Sequence, residues 1–261
     1  MLFRSIETAL KPVLRANNLS SLEELVAKLL SSNDRQLTDD VVNALLNNES
    51  SFFRDLQLFD MLFKDLLPHI SETRPDKVLR IWSAGCSSGQ EAFSLAMHLK
   101  KDAERWQGWR ISILGTDIST SAIARARSGL FSQIDVQRGL AINDLLKWFE
   151  PSGDDWKVSQ ELLRMIDFRV DNLFDPKVPS GQFDIILCRN VLLYFSNEMR
   201  GRVFGTLSKF IKPDGFLMLG AGETVIGQTQ SFKSSRTFRG CYEPAQPEVG
   251  SAADPQIRRM G

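Results

Sequence analysis

A turn of five small residues separates a strand pattern from a helix pattern in the stretch RIWSAGCSSGQEAFSLAM, residues 80–97. The turn is Gly85-Cys86-Ser87-Ser88-Gly89, and the apolar run before it predicts a buried strand. A strand, a turn of small residues and a helix form the unit with which α/β folds bring backbone against a ligand. The alternative is a tight connection without a ligand, and the turn alone does not decide between the two.

Strand and helix patterns alternate from residue 78 to about residue 242, and no internal repeat is visible. The predicted strands are 78–83, 111–116, 168–172, 183–188 and 216–219. This alternation predicts an α/β fold with a doubly wound, mostly parallel sheet and helices on both faces.

The remaining segments differ in composition from this α/β region. Residues 1–70 have helical spacing of apolar side chains, as in 19–30 and 52–67, with Ser20 or Ser21 as a predicted N-cap. We therefore expect a helical N-terminal domain over 1–70, a polar linker over 71–77, an α/β domain over 78–243 and a tail over 244–261. The tail is rich in Pro, Gly, Ala and Ser, which predicts disorder.

Charge and composition argue against several classes of function. Lys+Arg and Asp+Glu both number 32, so there is no positive surplus that would favour a nucleic-acid partner. Three scattered cysteines and two histidines argue against a disulfide framework, a metal site and a Ser-His-Asp triad. No signal peptide or apolar run of about 18 residues is present, so we expect a cytoplasmic protein that is not inserted into a membrane.

The second predicted strand ends in ILGTDIS, which places Asp117 at its carboxyl end. A carboxylate in this position of an α/β fold accepts hydrogen bonds from ribose hydroxyls. The alternative is that Asp117 caps the helix that follows. The turn lacks the Gly-Lys-Ser/Thr ending of a phosphate-binding loop and a strict GxGxxG, so an adenosine ligand without phosphates, such as S-adenosylmethionine, fits best.

Six stretches occur in a fixed order: NNESSFFRD, RIWSAGCSSGQEAFSLAM, ILGTDISTSAIARARSGLF, FRVDNLF, FDIILCRNVLLYF and IKPDGFLMLGAGE. Together they resemble the chemotaxis-receptor methyltransferases, the CheR family, over residues 3 to 242. The resemblance implies a helical N-terminal domain on a Rossmann-like methyltransferase domain, with a small antiparallel β-subdomain inserted at about 131–167. It also implies methyl transfer from S-adenosylmethionine to glutamates of bacterial chemoreceptor cytoplasmic helices, leaving S-adenosylhomocysteine.

The resemblance also implies roles for particular residues. The cofactor contacts of the family match Asn48, Ser50 (where Thr is usual), Arg54, Glu91, Asp117, Asn172, Leu173, Arg189 and Asn190. Tyr194 matches the tyrosine placed close to the transferring methyl, Arg54 of the N-terminal motif is the second catalytic candidate, and no metal is implied. Without the resemblance, each of four residues has a purely structural alternative. Glu91 could complement the dipole of its helix, and Arg54 could lie on a solvated face. Asn190 could be a turn residue, and Tyr194 a core residue.

The chemistry implied by the resemblance needs no general base, because a glutamate with a pKa of about 4.3 is already an anionic nucleophile at neutral pH. An arginine that gripped this carboxylate would stabilise the reactant more than the transition state, so Arg54 is expected to position the cofactor or to hold the carboxylate lightly.

The chain departs from the family pattern at several positions. Usual Glu-Glu-Pro-Tyr and Gly-His-Ser-Glu stretches read Gln90-Glu91-Ala92-Phe93 and Gly220-Ala221-Gly222-Glu223 here. The receptor-docking helix offers only Arg4, Lys11 and Arg15 as basic residues. This leaves two alternatives open: a noncatalytic S-adenosylmethionine-responsive signalling module, and a methyltransferase acting on another protein.

Some members of the family bind a peptide at the receptor's C-terminus as an added strand of the inserted sheet. The equivalent stretch here, KWFEPSGDDWKVSQEL at 147–162, is shorter and contains a compact turn with a single glycine, Gly153. Asp154 and Asp155 add negative charge that discourages an acidic peptide. We therefore expect an enzyme that does not depend on the peptide.

Overall fold

The computed structural model describes residues 6–46, 49–178 and 182–245. The α-helices are α1 Ile6–Ala16, α2 Leu22–Ser31, α3 Arg35–Leu45, α4 Leu56–Met61, α5 Leu67–Thr73, α6 Gln90–Lys101, α7 Thr120–Ser128, α8 Gln133–Gln137, α9 Ile142–Trp148, α10 Gln160–Leu163 and α11 Asn197–Phe210. A π-helical segment, Leu62–Leu66, joins α4 to α5, and a 3₁₀ helix covers Leu192–Tyr194. The strands are β1 Val78–Ala84, β2 Arg110–Asp117, β3 Leu130–Ser132, β4 Phe149–Ser152, β5 Asp155–Val158, β6 Ile166–Val170, β7 Phe183–Cys188, β8 Ile211–Leu219, β9 Phe232–Ser234 and β10 Cys241–Pro244.

Seven strands form the main sheet in the order β6-β2-β1-β7-β8-β10-β9. The strands from β6 to β8 are parallel, and β10 runs antiparallel to both β8 and β9. The strand order changes direction between β1 and β7, and in open α/β sheets the crevice at such a switch point binds ligands. The predicted α/β fold is confirmed, with a mostly parallel sheet.

The sequence-based strand boundaries are correct for some strands and wrong for others. The strand at 183–188 is confirmed, and those at 78–83 and 111–116 are each one or two residues longer than predicted. The strand predicted at 168–172 is β6 and ends at Val170, because Asn172 lies in a turn where its side-chain oxygen accepts from the Phe174 N–H. The strand predicted at 216–219 starts earlier, at Ile211.

Apolar side chains of the strands divide between two cores on the two faces of the sheet. In β1, Leu79 and Ile81 contribute to one core, and Trp82 and Ala84 to the other. This alternation follows from the two-residue period of a strand whose faces are both covered. The Trp82 indole N–H donates to the Thr116 hydroxyl at 2.9 Å, which satisfies the one polar atom of a fully buried side chain.

The N-terminal helices have a separate small core formed by Leu10, Val13, Leu25 and Leu37. Ser21 is the N-cap of α2, as one of the two alternatives predicted, and its hydroxyl accepts from the Glu24 N–H. Helix α5 runs to Thr73 and so includes the first residues of the stretch predicted as a linker. The domain boundaries themselves remain predictions, and most of the expected tail lies outside the described residues.

A second, three-stranded antiparallel sheet, β3-β5-β4, is inserted between α7 and β6. Phe52 from the segment before α4 packs edge-on against Phe131 of β3 and Phe149 of β4, with ring centroids 5.1 and 5.6 Å apart. The Phe52 N–H also donates to the Arg138 carbonyl at 3.1 Å. Phe52 therefore fixes this segment to the inserted sheet.

We expect Phe52→Ala to lower the free energy of unfolding by about 3–5 kcal/mol, because the side chain is 1% exposed and truncation leaves a cavity against the inserted sheet. Denaturant titration measures the change. Leu30→Ala is the control, since Leu30 is 84% exposed and its loss should change stability little. A loss below about 1 kcal/mol in Phe52→Ala would show that the Phe52 cluster does not hold the inserted sheet.

Candidate functional site

The predicted site residues lie mainly at one edge of the main sheet, where the parallel strands end. β1 ends before the glycine turn, β2 at Asp117, β6 two residues before Asn172, and β7 one residue before Arg189. The Asp171 N–H donates to the Asp117 carbonyl at 2.9 Å, which brings the segment after β6 beside the end of β2. The switch-point crevice between β1 and β7 opens at this same edge.

The glycine turn is fixed against the end of β2. The backbone N–H groups of Gly85 and Cys86 donate to the Thr116 carbonyl at 2.8 and 2.9 Å. A β carbon on Gly85 would collide with the Val191 side chain, and one on Gly89 would lie 2.9 Å from the Phe168 ring. Both glycines also have positive φ angles, +83° and +93°. The two glycines of the turn are therefore required by the protein's own packing, whatever ligand lies beside them.

Asp117 joins this turn to the start of α7. Its Oδ2 accepts from the Ser87 N–H at 2.8 Å and its Oδ1 from the Ser119 N–H at 2.9 Å. The helix-cap interpretation of Asp117 is wrong, because the N-cap of α7 is Ser119, whose hydroxyl accepts from the Ala122 N–H. Burial raises the pKa of the Asp117 carboxyl, and the backbone hydrogen bonds oppose this rise. A carboxylate has about four acceptor sites, and the backbone groups of Ser87, Ser119 and Ile118 do not fill all of them, so Asp117 can still accept from a ribose hydroxyl.

Arg189 connects β7 to α6 and to the segment before α4. Its Nη1 donates to Glu91 Oε2 at 2.8 Å, and its Nη2 to Asp55 Oδ2 at 2.9 Å and to the Arg54 carbonyl at 2.6 Å. The guanidinium carbon lies 5.1 Å from the centroid of the Phe59 ring. The side chain is 3% exposed, and its Nε has no hydrogen-bond partner among the residues the structure describes.

Glu91 does more than complement the dipole of α6. Its Oε1 accepts from the Ser83 hydroxyl at 2.7 Å while its Oε2 pairs with Arg189, so both oxygens take part in specific contacts. Ser83 is fully buried in β1. Glu91 thus links β1, α6 and the end of β7 behind the glycine turn.

The N-terminal part of the site is described from Glu49 onward. Arg54 Nη1 donates to the Glu49 carbonyl at 3.2 Å, and Ser50 lies in the same segment. The Glu49 carboxylate pairs with Arg138 of the inserted subdomain at 2.5 Å, and this hydrogen bond lowers the pKa of Glu49. The predicted contact Asn48 lies outside the described residues.

The remaining candidates lie in the segments after β7 and after β6. Asn190 has a φ of +60°, and its N–H donates to Glu223 Oε2 at 2.7 Å. Tyr194 ends the 3₁₀ helix and is 63% exposed, so the core interpretation of Tyr194 is wrong. Asn172 is exposed and Leu173 half-buried, and they lie beyond β6 on the other side of β1 and β2.

Two residues of this arrangement were not among the predicted site residues. Asp55 binds Arg189, and Glu223 accepts hydrogen bonds from the backbone after β7. Each is the last residue of a stretch on which the family resemblance rests, FFRD and IKPDGFLMLGAGE. The stretches therefore carried the signal, but only a structure shows which atoms these carboxylates contact.

The arrangement fits a cationic nucleoside ligand better than a metal ion. Asp117 lies at the carboxyl end of β2, beside the crevice, and its carboxylate can accept from a hydroxyl group. Among residues 6–46, 49–178 and 182–245, no group of three or more His, Cys, Asp or Glu side chains could hold a metal ion. No helix of these ranges is long and apolar enough to cross a membrane.

Comparison with known proteins also indicates an S-adenosylmethionine-binding methyltransferase. The family model described as "CheR methyltransferase, SAM binding domain" matches residues 48–241. A "Chemotaxis protein methyltransferase" of Vibrio parahaemolyticus is 36% identical over 238 residues, covering 90% of this chain and 86% of the relative. "Chemotaxis protein methyltransferase Cher2" of Pseudomonas putida is 32% identical, covering 92% of this chain and 89% of the relative. The resemblance inferred from the six stretches is confirmed.

We expect Asp117→Ala to weaken binding of S-adenosylmethionine and S-adenosylhomocysteine by about 10- to 100-fold, which corresponds to a lost charged hydrogen-bond partner of about 1.5–3 kcal/mol. Calorimetric titration of either ligand measures the change. Asp154→Ala removes an exposed carboxylate from a turn of the inserted subdomain and should leave the affinity unchanged. Equal affinities for Asp117→Ala and the parent would remove Asp117 from the ligand site.

Proposed function

Because the chain belongs to the CheR methyltransferase family and contains its S-adenosylmethionine-binding domain, we propose that it methylates glutamate side chains of chemoreceptors. The acceptors are glutamates on the cytoplasmic helices of bacterial receptors, and the products are glutamate methyl esters and S-adenosylhomocysteine. The observation that carries this proposal is the exposed Tyr194 at the same sheet edge as Asp117 and the glycine turn.

Roles for the site residues follow from their positions in this proposal. Asp117 accepts hydrogen bonds from the ribose hydroxyls, and the glycine turn lies against the methionine part of the cofactor. Glu91 and Arg189 hold the surrounding backbone, while Asn172 and Leu173 border the adenine. Tyr194 orients the attacking glutamate oxygen.

The proposed chemistry needs alignment and not a base. S-adenosylmethionine supplies an electrophilic methyl group on a positively charged sulfur. The receptor glutamate is ionised at neutral pH, and holding its oxygen in line with the methyl can remove up to about 7–11 kcal/mol of barrier. Opposite charges cancel as the ester forms, so a site that excludes water favours the reaction.

The small number of basic residues on α1 favours two alternatives to this proposal. Lys11 and Arg15 are the exposed basic residues of α1, the helix that would meet an acidic receptor surface, and Arg4 lies outside the described residues. Two basic side chains offer little attraction to an acidic receptor surface. This favours either a noncatalytic S-adenosylmethionine-responsive module or a methyltransferase with another protein substrate. A receptor methylation assay separates both from the main proposal.

We expect the protein to transfer labelled methyl groups into base-labile esters on receptor cytoplasmic fragments, and Tyr194→Phe to slow this at least about 10-fold with cofactor affinity retained. The reason is that loss of the hydroxyl leaves the attacking oxygen less well oriented. Tyr242→Phe is the matched control, since Tyr242 of β10 is the other tyrosine of the chain and lies against the core.

The outcomes of this assay are distinct. Equal rates for Tyr194→Phe and the parent would exclude the orienting role of Tyr194. Cofactor binding by the parent without any receptor ester would contradict the main proposal and favour the two alternatives, a noncatalytic module or a methyltransferase with another protein substrate.

The proposal further includes independence from a receptor peptide, and the β4 edge of the inserted sheet supports it. The Ser159 N–H donates to the Trp148 carbonyl, so the alternation of an antiparallel pair directs the backbone groups of Phe149 and Pro151 away from β5. The Phe149 N–H is bound to the Leu145 carbonyl, and proline has no N–H. This edge therefore offers an added strand no backbone donor.

The β3 edge is closed in the same way. The Val158 N–H donates to the Gly129 carbonyl, so the backbone groups of Leu130 and Ser132 point away from β5. The Leu130 N–H donates to the Ser128 hydroxyl at 3.2 Å, and the Ser132 N–H to Asp135 Oδ2 at 3.0 Å. A peptide strand needs both donors and acceptors along an edge, and here only acceptors remain.

We therefore expect a pentapeptide from a receptor C-terminus to show no saturable binding in calorimetry, and receptor fragments with and without that peptide to be methylated at equal rates. The control is a member of the family that does bind the peptide. Tight saturable binding to this chain would disprove peptide independence, while leaving the proposed methyl transfer intact.

A further inference from the structure

The segment from Asn190 to Tyr194 leaves the sheet through a backbone conformation that an asparagine adopts at some cost. Asn190 has a φ of +60°, in the left-handed region that non-glycine residues rarely occupy. The 3₁₀ helix that ends in Tyr194 begins two residues later, at Leu192. The position of Tyr194 thus depends on what holds Asn190 and Leu192 in place.

Glu223 holds both of these residues through their backbone. Its Oε2 accepts from the Asn190 N–H at 2.7 Å and its Oε1 from the Leu192 N–H at 2.7 Å. The Oε2 also accepts from the Gly220 N–H at 2.8 Å, at the end of β8. One carboxylate therefore ties the loop after β7 to the loop after β8.

The same peptide segment is held from its other side by α11. Arg200 Nε donates to the Leu192 carbonyl at 2.9 Å, so both backbone groups of Leu192 are bound to charged side chains. The Leu192 side chain is 2% exposed and anchors the helix in the core. Tyr194, in contrast, extends outward from this fixed base.

The loop after β7 and the loop after β8 pack closely against each other at Gly220. A β carbon on Gly220 would lie 2.9 Å from the Asn190 nitrogen and 2.7 Å from its side-chain Nδ2. Gly220 therefore allows the end of β8 to approach Asn190 closely enough for the Glu223 carboxylate to reach both N–H groups.

We propose that Glu223 is a positioning residue for methyl transfer, which acts through Tyr194 by fixing the backbone of residues 190–192. This inference rests on the proposed function of Tyr194. Glu223 exchanges no proton in this role, and its contribution is the negative charge and the two-oxygen geometry that accept three N–H groups. An amide at this position has one acceptor oxygen and turns an N–H₂ group toward a backbone N–H, so it cannot replace the carboxylate.

A double-mutant cycle between Glu223→Gln and Tyr194→Phe tests the proposal. We expect Glu223→Gln alone to lower kcat for receptor methylation by about 10- to 100-fold, with KM for S-adenosylmethionine changed less than about 3-fold. In the Tyr194→Phe background the same change should cost less than about 3-fold, because the residue through which Glu223 acts is already disabled. Independent losses that multiply in the double mutant would overturn the proposal.

Amide hydrogen exchange provides a readout that needs no receptor. Glu223→Gln should speed exchange of the Asn190 and Leu192 amides while leaving β1 protected, and Glu198→Gln, which removes an exposed carboxylate from α11, should change neither. Unchanged exchange at Asn190 and Leu192 would overturn the positioning role whatever the substrate. Faster exchange in Glu223→Gln together with an inactive parent would instead count against the proposed methyl transfer alone.

Discussion

The buried guanidinium of Arg189 is the interaction on which the arrangement of the site depends. Burying a charge is costly unless partners replace water, and here two carboxylates, a backbone carbonyl and an aromatic face do so. These partners come from two parts of the chain, the start of α4 with Arg54, Asp55 and Phe59, and Glu91 on α6, and Arg189 at the end of β7 joins them as the third segment. Because the loss of one partner from a buried pair typically costs about 3–5 kcal/mol, the three segments are held in one relative position.

Backbone strain is concentrated around this network. Six non-glycine residues of the described ranges have positive φ angles, and four of them lie here: Phe53, Asp55, Ser87 and Asn190. Three of the four are held by charged groups. Asp55 binds Arg189, the Ser87 N–H donates to Asp117, and the Asn190 N–H donates to Glu223. Such strain persists only where the surroundings compensate for it, and its concentration at one sheet edge agrees with a functional site.

The sequence predicted the features that depend on local pattern. Apolar runs that alternate with helical patterns located the strands of the parallel sheet, and the sequence of β2 placed Asp117 at its carboxyl end. Patterns could not show that Ser119 caps α7 in place of Asp117, because both residues are good caps and only geometry separates them. The short strands β9 and β10 at one end of the main sheet were not predicted, since neither is long enough to show a clear period. The contacts of Asp55 and Glu223 were missed because each joins residues far apart in the chain.

The charges of the site are balanced in a way that suits a reaction in which charge disappears. A free carboxylate beside a positively charged sulfur would stabilise the reactant more than the transition state, where that charge is spreading. Glu91, which lies behind the glycine turn, has its charge compensated by Arg189. Arg54 likewise donates a hydrogen bond to the Glu49 carbonyl. This contact competes with binding of the anionic glutamate in the proposed reaction. In the proposed reaction, therefore, cofactor binding rests on Asp117 and the glycine turn, and the proposed role of Glu223 makes the rate depend on how firmly the loop carrying Tyr194 is fixed.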